Sequence, residues 1–271
     1  MALTDYDEYV AAMRLNRAAD FQTSPAITGS SAARPNAGWR FTLPAAAIPT
    51  TSVAVDKTSD NAIGPIPDAG SGKLQILGGR FNTSGSAGAT VTAVDLLNVS
   101  GGLSGIVTTE QTTNLPTAAL TRYTTGEGVM IGLVFYSTPG TTATTVTVRY
   151  TNQAGTANQV STATAFGGTG FREVGRIIPI PLANGDTGVR SVEGVTVTAT
   201  TGTAGNFGVC LFRPLMMFVL ESTTGTMPLD AVSSGGMIGS MAELDDDACL
   251  TFLASTPVTQ SINGAILLAE V

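Results

Sequence analysis

Histidine is missing from all 271 residues. Its absence removes the commonest general base, the Ser-His-Asp and Cys-His constellations, and most zinc and iron sites. Charge is scarce as well: 12% of the chain, about half of the usual ~25%. Thr, Ser, Asn, Gln and Gly must then make most of the wet surface, and Thr suits the task because its branched Cβ favours strands while its hydroxyl tolerates water. Only Lys57 and Lys73 are lysines, so the usual lysine guard on strand edges is almost unused. Edges covered by neighbouring subunits have no need of it. The thirteen basic residues are scattered and the net charge is −7, which excludes nucleic acid as a partner.

Cys210 and Cys249 are the only cysteines. Two in so long a chain do not make a disulfide scaffold. The reading is two buried thiols, with a single inter-strand bridge as the alternative. The most apolar run, 207–220, is broken by Arg213-Pro214 and is too short to span a bilayer. No basic segment followed by an apolar run opens the sequence. The expectation is a soluble protein made in a host cytoplasm, without a signal peptide or a membrane partner.

What is abundant is strand chemistry. Val, Ile, Thr and Phe cluster between Gly, Asn, Asp and Pro at roughly 8–12-residue spacing, the pattern of a sandwich or barrel. Residues 166–220 show it best: apolar segments 177–182, 189–198 and 207–220 are separated by turn residues at 184–186 and 202–206. Before them come KLQILGGRFN, ATVTAVDLLNVS, SGIVTT, VMIGLVFYS, TTVTVRYT and NQVSTATAF. After them, DACLTFLAST and SINGAILLAEV read as a closing hairpin that ties the end of the chain into a sheet. No helical crossovers separate the strands, so a parallel α/β sheet is excluded. The fold class is all-β, an antiparallel β-sandwich with jelly-roll topology as first choice and another sandwich as second.

Two appendages precede this body, giving expected units 1–21, 22–72 and 73–271. Residues 4–20 carry a helix pattern, with Thr4 and Asp7 in a capping-box variant, acids in the first turn and Arg14 and Arg17 in the last. Tyr6, Val10 and Met13 form its apolar stripe, with Tyr9 beside it. Residues 22–72 hold six prolines and read as an extended arm that lies, with the helix, across neighbouring subunits, a disordered or self-packed segment being the alternative. Within it, Trp39 and Phe41 alternate with polar neighbours. Tyr6, Tyr9, Val10, Met13, Trp39 and Phe41 are the candidate interface residues, since aromatics tend to carry contact energy.

Candidate chemistry is thin. Asp245-Asp246-Asp247 lacks the alternating ligands and turn glycine of a calcium loop and reads as a solvated turn. Asp95, Glu110, Glu127, Glu173 and Glu193 could supply a paired-carboxylate glycosidase, yet no spacing selects a pair. GGTG at 167–170 lacks the continuation of a phosphate loop and suits a turn with positive φ. Arg172, Glu173 and Arg176 read as surface ion pairs, with an interface lining as the alternative. No catalytic residue, metal or cofactor is expected.

The segments YTNQAGTA (150–157), IPIPLANGDTGVRSVEGVT and GTAGNFGVCLFRPL resemble structural proteins of tailed bacteriophages over roughly residues 73–220. The resemblance implies a virion component that decorates the capsid at the head, vertex or neck, and carries no catalytic residue with it. The expected partners are further copies of the chain, in a homo-oligomer of trimeric order, and the major capsid or other virion proteins. The alternative is a carbohydrate-binding or host-adhesion module of a fibre or spike.

Overall fold

The computed structural model describes residues 18–22, 36–37, 50–59, 62–63, 73–85, 87–220, 229–230 and 243–270. Within them every regular element is a strand and every pairing is antiparallel. In order these are β1 (Ala18–Gln22), β2 (Asn36–Ala37), β3 (Val53–Ala54), β4 (Lys73–Thr83), β5 (Ala89–Val99), β6 (Met130–Ser137), β7 (Thr144–Asn152) and β8 (Gln159–Val160). Then follow β9 (Thr164–Phe166), β10 (Ile177–Ile180), β11 (Val189–Val197), β12 (Asn206–Leu220), β13 (Leu229–Asp230), β14 (Glu243–Asp245), β15 (Cys249–Ser255) and β16 (Ile262–Glu270).

Among the described residues there are three sheets. The central one runs β10-β6-β12-β5-β15-β2, with β3 added on β5. A second runs β1-β16-β4-β13 with β14 also on β4, and a third joins β11, β7, β8 and β9. Two long strands, β5 and β12, serve both halves of the molecule. Ala89, Val91 and Ala93 of β5 and Phe218 and Leu220 of β12 pack with Leu74, Ile76, Phe81, Ile266 and Leu268 of the second sheet. Phe207, Val209 and Leu211, nearer the start of β12, pack instead with Val146, Val148, Tyr150, Val192 and Val195 of the third. Cys210 and Phe212 point the other way, into a cluster closed by Val55 and Ala62.

A strand of period two cannot do this unaided. Without correction, Phe218 and Leu220 would fall on the side of Cys210 and Phe212. The register between β12 and β5 shifts between Pro214 and Met216, leaving Leu215 as an extra residue. Such a bulge re-aims every side chain beyond it. The rings of Phe81 and Phe218 then meet at 4.5 Å between centroids.

Several sequence expectations need correction. The pattern read as a helix over 4–20 ends in a strand: Ala18–Asp20 belong to β1, paired with β16 from Ala18–Leu267 onward. The β16 edge supplies main-chain partners that local helix propensity cannot match. The rest of that segment lies outside the described residues. The described parts of 22–72 are tied to the body, through β2 on β15, β3 on β5, and Val55 and Ile63 buried in its cores. The supposed closing hairpin does not exist, because β15 pairs with β5 in the central sheet and β16 pairs with β4 in the second. The chain crosses between sheets there, burying Phe252 and Ile266 in one shared core. SGIVTT forms turns, leaving Ile106 and Val107 exposed. NQVSTATAF is split into the short strands β8 and β9. No helix among the described residues is long and apolar enough to cross a membrane.

Close main-chain approach at Gly208 sets the spacing at the start of β12. A Cβ there would overlap the carbonyl oxygen of Ser100, which accepts a 2.8 Å hydrogen bond from the buried Tyr136 hydroxyl. Gly208→Ala is expected to cost about 1–3 kcal/mol through overpacking, read as a lower urea midpoint. An unchanged midpoint would show that the strands can move apart freely.

Candidate functional site

The densest polar chemistry in the body surrounds Asp95 and Arg122. Asp95 sits mid-strand on β5 and is fully buried; Arg122, from the loop before β6, is 7% exposed. The guanidinium donates from Nε to Asp95 Oδ2 at 3.0 Å and from Nη2 to Oδ1 at 2.7 Å, a two-pronged pair. The Cys249 N–H donates to the same Oδ1 at 3.0 Å.

The location explains the arrangement. On this flank of β5, β15 pairs as far as Leu96 and β3 takes over at Asn98. Between them, the Leu96 carbonyl accepts from Arg122 Nη2 at 3.0 Å, and the Val55 carbonyl accepts from both Nη1 and Nη2 at 3.2 Å. Arg122 thus satisfies main-chain groups at the point where the sheet changes partner. Burial drives the Asp95 carboxyl up against the pull of Arg122 and the Cys249 N–H. Burial pulls Arg122 down, but the hydrogen bond and charge of Asp95 outweigh it and hold its pKa above the ordinary value. Next door, Tyr123 has φ 51° and lies under Arg213, whose guanidinium carbon is 4.2 Å from the ring centroid.

The other carboxylates singled out in the sequence have different partners. Glu110 pairs with Arg149 at 2.5 Å, and Glu127 accepts from the Thr187 hydroxyl at 2.9 Å. Glu193 accepts from Thr151 at 2.9 Å and from Ser191. Glu173 accepts from the N–H of Gly170 at 2.6 Å and pairs with Arg176 at 3.2 Å. That last pair is a correction, because Arg176 is fully buried rather than at the surface. Around it, Gly167, Gly168 and Gly170 take the positive φ expected of GGTG. The triple aspartate turns on Lys57, which reaches Asp246 at 3.1 Å and Asp247 at 3.7 Å, while Asp245 accepts from the Asp247 N–H. Among the described residues no three His, Cys, Asp or Glu side chains group to hold a metal.

The phrase that carried the sequence resemblance is a structural tie. The Tyr150 hydroxyl donates to Asp186 at 2.6 Å and accepts from the Ala183 N–H at 2.8 Å; Asn152 donates to Asp186 at 2.7 Å. These bonds fasten the ANGD turn to β7.

Both cysteines are free and buried. Cys210 and Cys249 lie on β12 and β15, on opposite flanks of β5. Strands two places apart are about 9–10 Å from each other, beyond the reach of a disulfide. Burial pushes the Cys210 thiol up to about 12, and burial with Asp95 pushes Cys249 up as well. Protonated and enclosed, neither can serve as a nucleophile.

Tyr6, Tyr9, Val10, Met13, Trp39 and Phe41 lie outside the described residues. Sequence reasoning passed over Arg122; its one signal was an arginine isolated in the Thr- and Pro-rich loop TNLPTAALTRYTTGEG.

No protein-family model matches the chain, and no curated protein does. Among solved structures, the chain is compared with "D431N Mutant VP2 Protein of Infectious Bursal Disease Virus; Derived T=1 Particles" at 9% identity and a TM-score of 0.19. That comparison covers 94% of this chain and 77% of the other. A score so low does not establish a shared fold.

Two outcomes follow from these environments. Arg122→Met strands a buried carboxylate and is expected to cost about 3–5 kcal/mol in urea unfolding, whereas Arg122→Met with Asp95→Leu recovers part of the loss. Equal losses in both would mean that the ion pair is not coupled. Cys210 contributes to the alkaline limb of stability, beside Cys249 and the buried tyrosines. Unfolded, its thiol ionises from the ordinary value of 9.0; folded, it keeps its proton up to about 12. The native state therefore binds more protons across that window, and stability falls as pH rises through it. Cys210→Ala is expected to flatten the fall in urea midpoint above about pH 9; an unchanged slope refutes the assignment.

Proposed function

We propose that the chain is a non-enzymatic structural protein of a virion, working as a homo-oligomer that binds or decorates a phage capsid. The observation that carries this reading is where the polar side chains go. Arg122, Asp95, Tyr150, Asp186, Glu173 and Arg176 fasten loops and strands to one another, and both thiols are enclosed. Such a body is suited to a mechanical role. The likeness of residues 150–157, the IPIPLANGDTGVRSVEGVT run and GTAGNFGVCLFRPL (202–215) to tailed-phage structural proteins supplies the context. Contacts spread over several neighbours would give avidity without one tight site.

The adhesion reading asks for exposed aromatic platforms. Among the described residues, the exposed large apolar side chains are Val, Ile and Met, such as Ile106, Val160, Val174 and Met217. These favour protein contact over sugar stacking.

Quantitative mass spectrometry of gradient-purified particles from the source lysate is the test. The chain is expected in multiple copies per particle, and antibody labelling should place it on the head, vertex or neck. Its absence from intact particles, or specific glycan-array binding by the isolated protein, overturns the reading.

A further inference from the structure

The sequence holds two Asn-Gly steps, Asn184-Gly185 and Asn263-Gly264. Asparagine before glycine is the least hindered setting for an asparagine amide to meet the next main-chain nitrogen, because glycine has no Cβ to obstruct it. The fold treats the two steps oppositely. Asn184 and Gly185 are both exposed, at the centre of the turn between β10 and β11. Gly185 has φ 94°, and a Cβ added there would meet nothing within 4 Å. Water and base reach the peptide between them without obstruction. Asn263 and Gly264 instead lie on β16 between two partner strands, with Asn263 registered against Gln22 of β1 and Asn82 of β4. A ladder on both flanks holds that main chain extended, and opening it requires local unfolding.

The bonds that hold the turn over 183–186 are made by its ends. The Ala183 N–H donates to the Tyr150 hydroxyl at 2.8 Å, and the Asp186 N–H to the Ala183 carbonyl at 3.1 Å. The Asp186 carboxylate accepts from Tyr150 and Asn152. Asn184 and Gly185 lie between these anchors and supply none of them. Asn158 is exposed as well, but Gln159 follows it, and a side chain there crowds the attacking nitrogen.

We propose that Asn184 is a site of spontaneous deamidation, converting to aspartate and isoaspartate through a cyclic imide. Base removes the Gly185 amide proton, and that nitrogen bonds to Asn184 Cγ. The Cγ–Nδ2 bond breaks, and ammonia leaves with a proton from water. Water then opens the ring. Addition at Cγ gives aspartate; addition at the main-chain carbonyl carbon gives isoaspartate. The net reaction consumes a water and releases an ammonia, with no change of oxidation state. Either product places a new negative charge beside the anchored Asp186. The isoaspartyl link also lengthens the main chain by a methylene. A single Tyr150 hydroxyl holds both Ala183 and Asp186, so lengthening the path between them loosens that double hold. The site needs no partner or cofactor and does not rest on the virion reading.

The full chain is aged in mildly alkaline buffer and followed by peptide mapping with electron-transfer fragmentation, which separates aspartate from isoaspartate. The same chain unfolded in urea gives the rate without the fold. In the folded protein Asn184 is expected to convert at least about tenfold faster than Asn263. Gly185→Ala is expected to slow conversion at Asn184 by at least about tenfold. Should that variant fail to fold, the folded and urea rates of the wild type at Asn184 and Asn263 carry the decision. Hydrogen exchange reads the consequence: the Ala183 and Asp186 amides are expected to exchange faster in the isoaspartyl form than in fresh protein. Asn184→Asp, with the same charge and an ordinary peptide link, is expected to keep the slow exchange. An Asn184 that stays intact in the folded protein while the urea-unfolded chain converts overturns the proposal. So does an Asn263 that converts as fast as Asn184 in the folded protein. Unchanged exchange in the isoaspartyl form overturns the loosening of the Tyr150 hold.

Discussion

The seam on β5 between Leu96 and Leu97 is the point on which the architecture turns. There one neighbouring strand ends and another begins, which would strand main-chain carbonyls in a buried place. Arg122 fills the gap with a planar fork of donors, and Asp95 neutralises it. Four stretches far apart in sequence meet at this pair: 50–59, β5, the loop before β6, and the start of β15. Buried ion pairs often add little net stability because desolvation offsets their attraction. The gain here is in positional definition. The fork accepts one arrangement of strands around it, and the cores on both halves are built out from that arrangement.

The two halves are coupled because β5 and β12 belong to both. The bulge at Leu215 turns β12 from one core to the next, while the register shift at Leu97 on β5 keeps Val94, Leu96 and Val99 in a single cluster. Sharing long strands saves separate edges, yet it leaves β12 longer than β6.

The loops at the third sheet are fixed by hydrogen bonds as well as by apolar contacts such as those of Phe171 and Leu182. Tyr150, Asn152 and Asp186 hold one turn. Thr201 holds another, with its hydroxyl accepting from the Gly140 N–H at 3.1 Å and lying 3.1 Å from the Gly105 carbonyl. In a chain with so little charge, neutral hydroxyl and amide groups carry this work. Each bond is modest in net energy, but a buried group left without one is costly.

The strand class, the antiparallel pairing, the turns at 167–170 and 184–186 and the burial of both thiols were legible in the sequence, because each depends on local pattern or residue chemistry. Val146, Val148 and Tyr150 alternate with polar neighbours, and period two alone places them inward. Tertiary structure decided the rest. Sheet membership is invisible in a strand's own residues, so DACLTFLAST and SINGAILLAEV looked like partners when they face each other across a core. Ala18–Asp20 looked helical because the edge of β16 that recruits them lies some 245 residues away by its registered partners. Arg122 looked like an ordinary loop arginine, since its role depends on a seam made by strands from both ends of the chain. Local pattern determines how each segment can bury its side chains; only long-range main-chain pairing selects which segment supplies the other half.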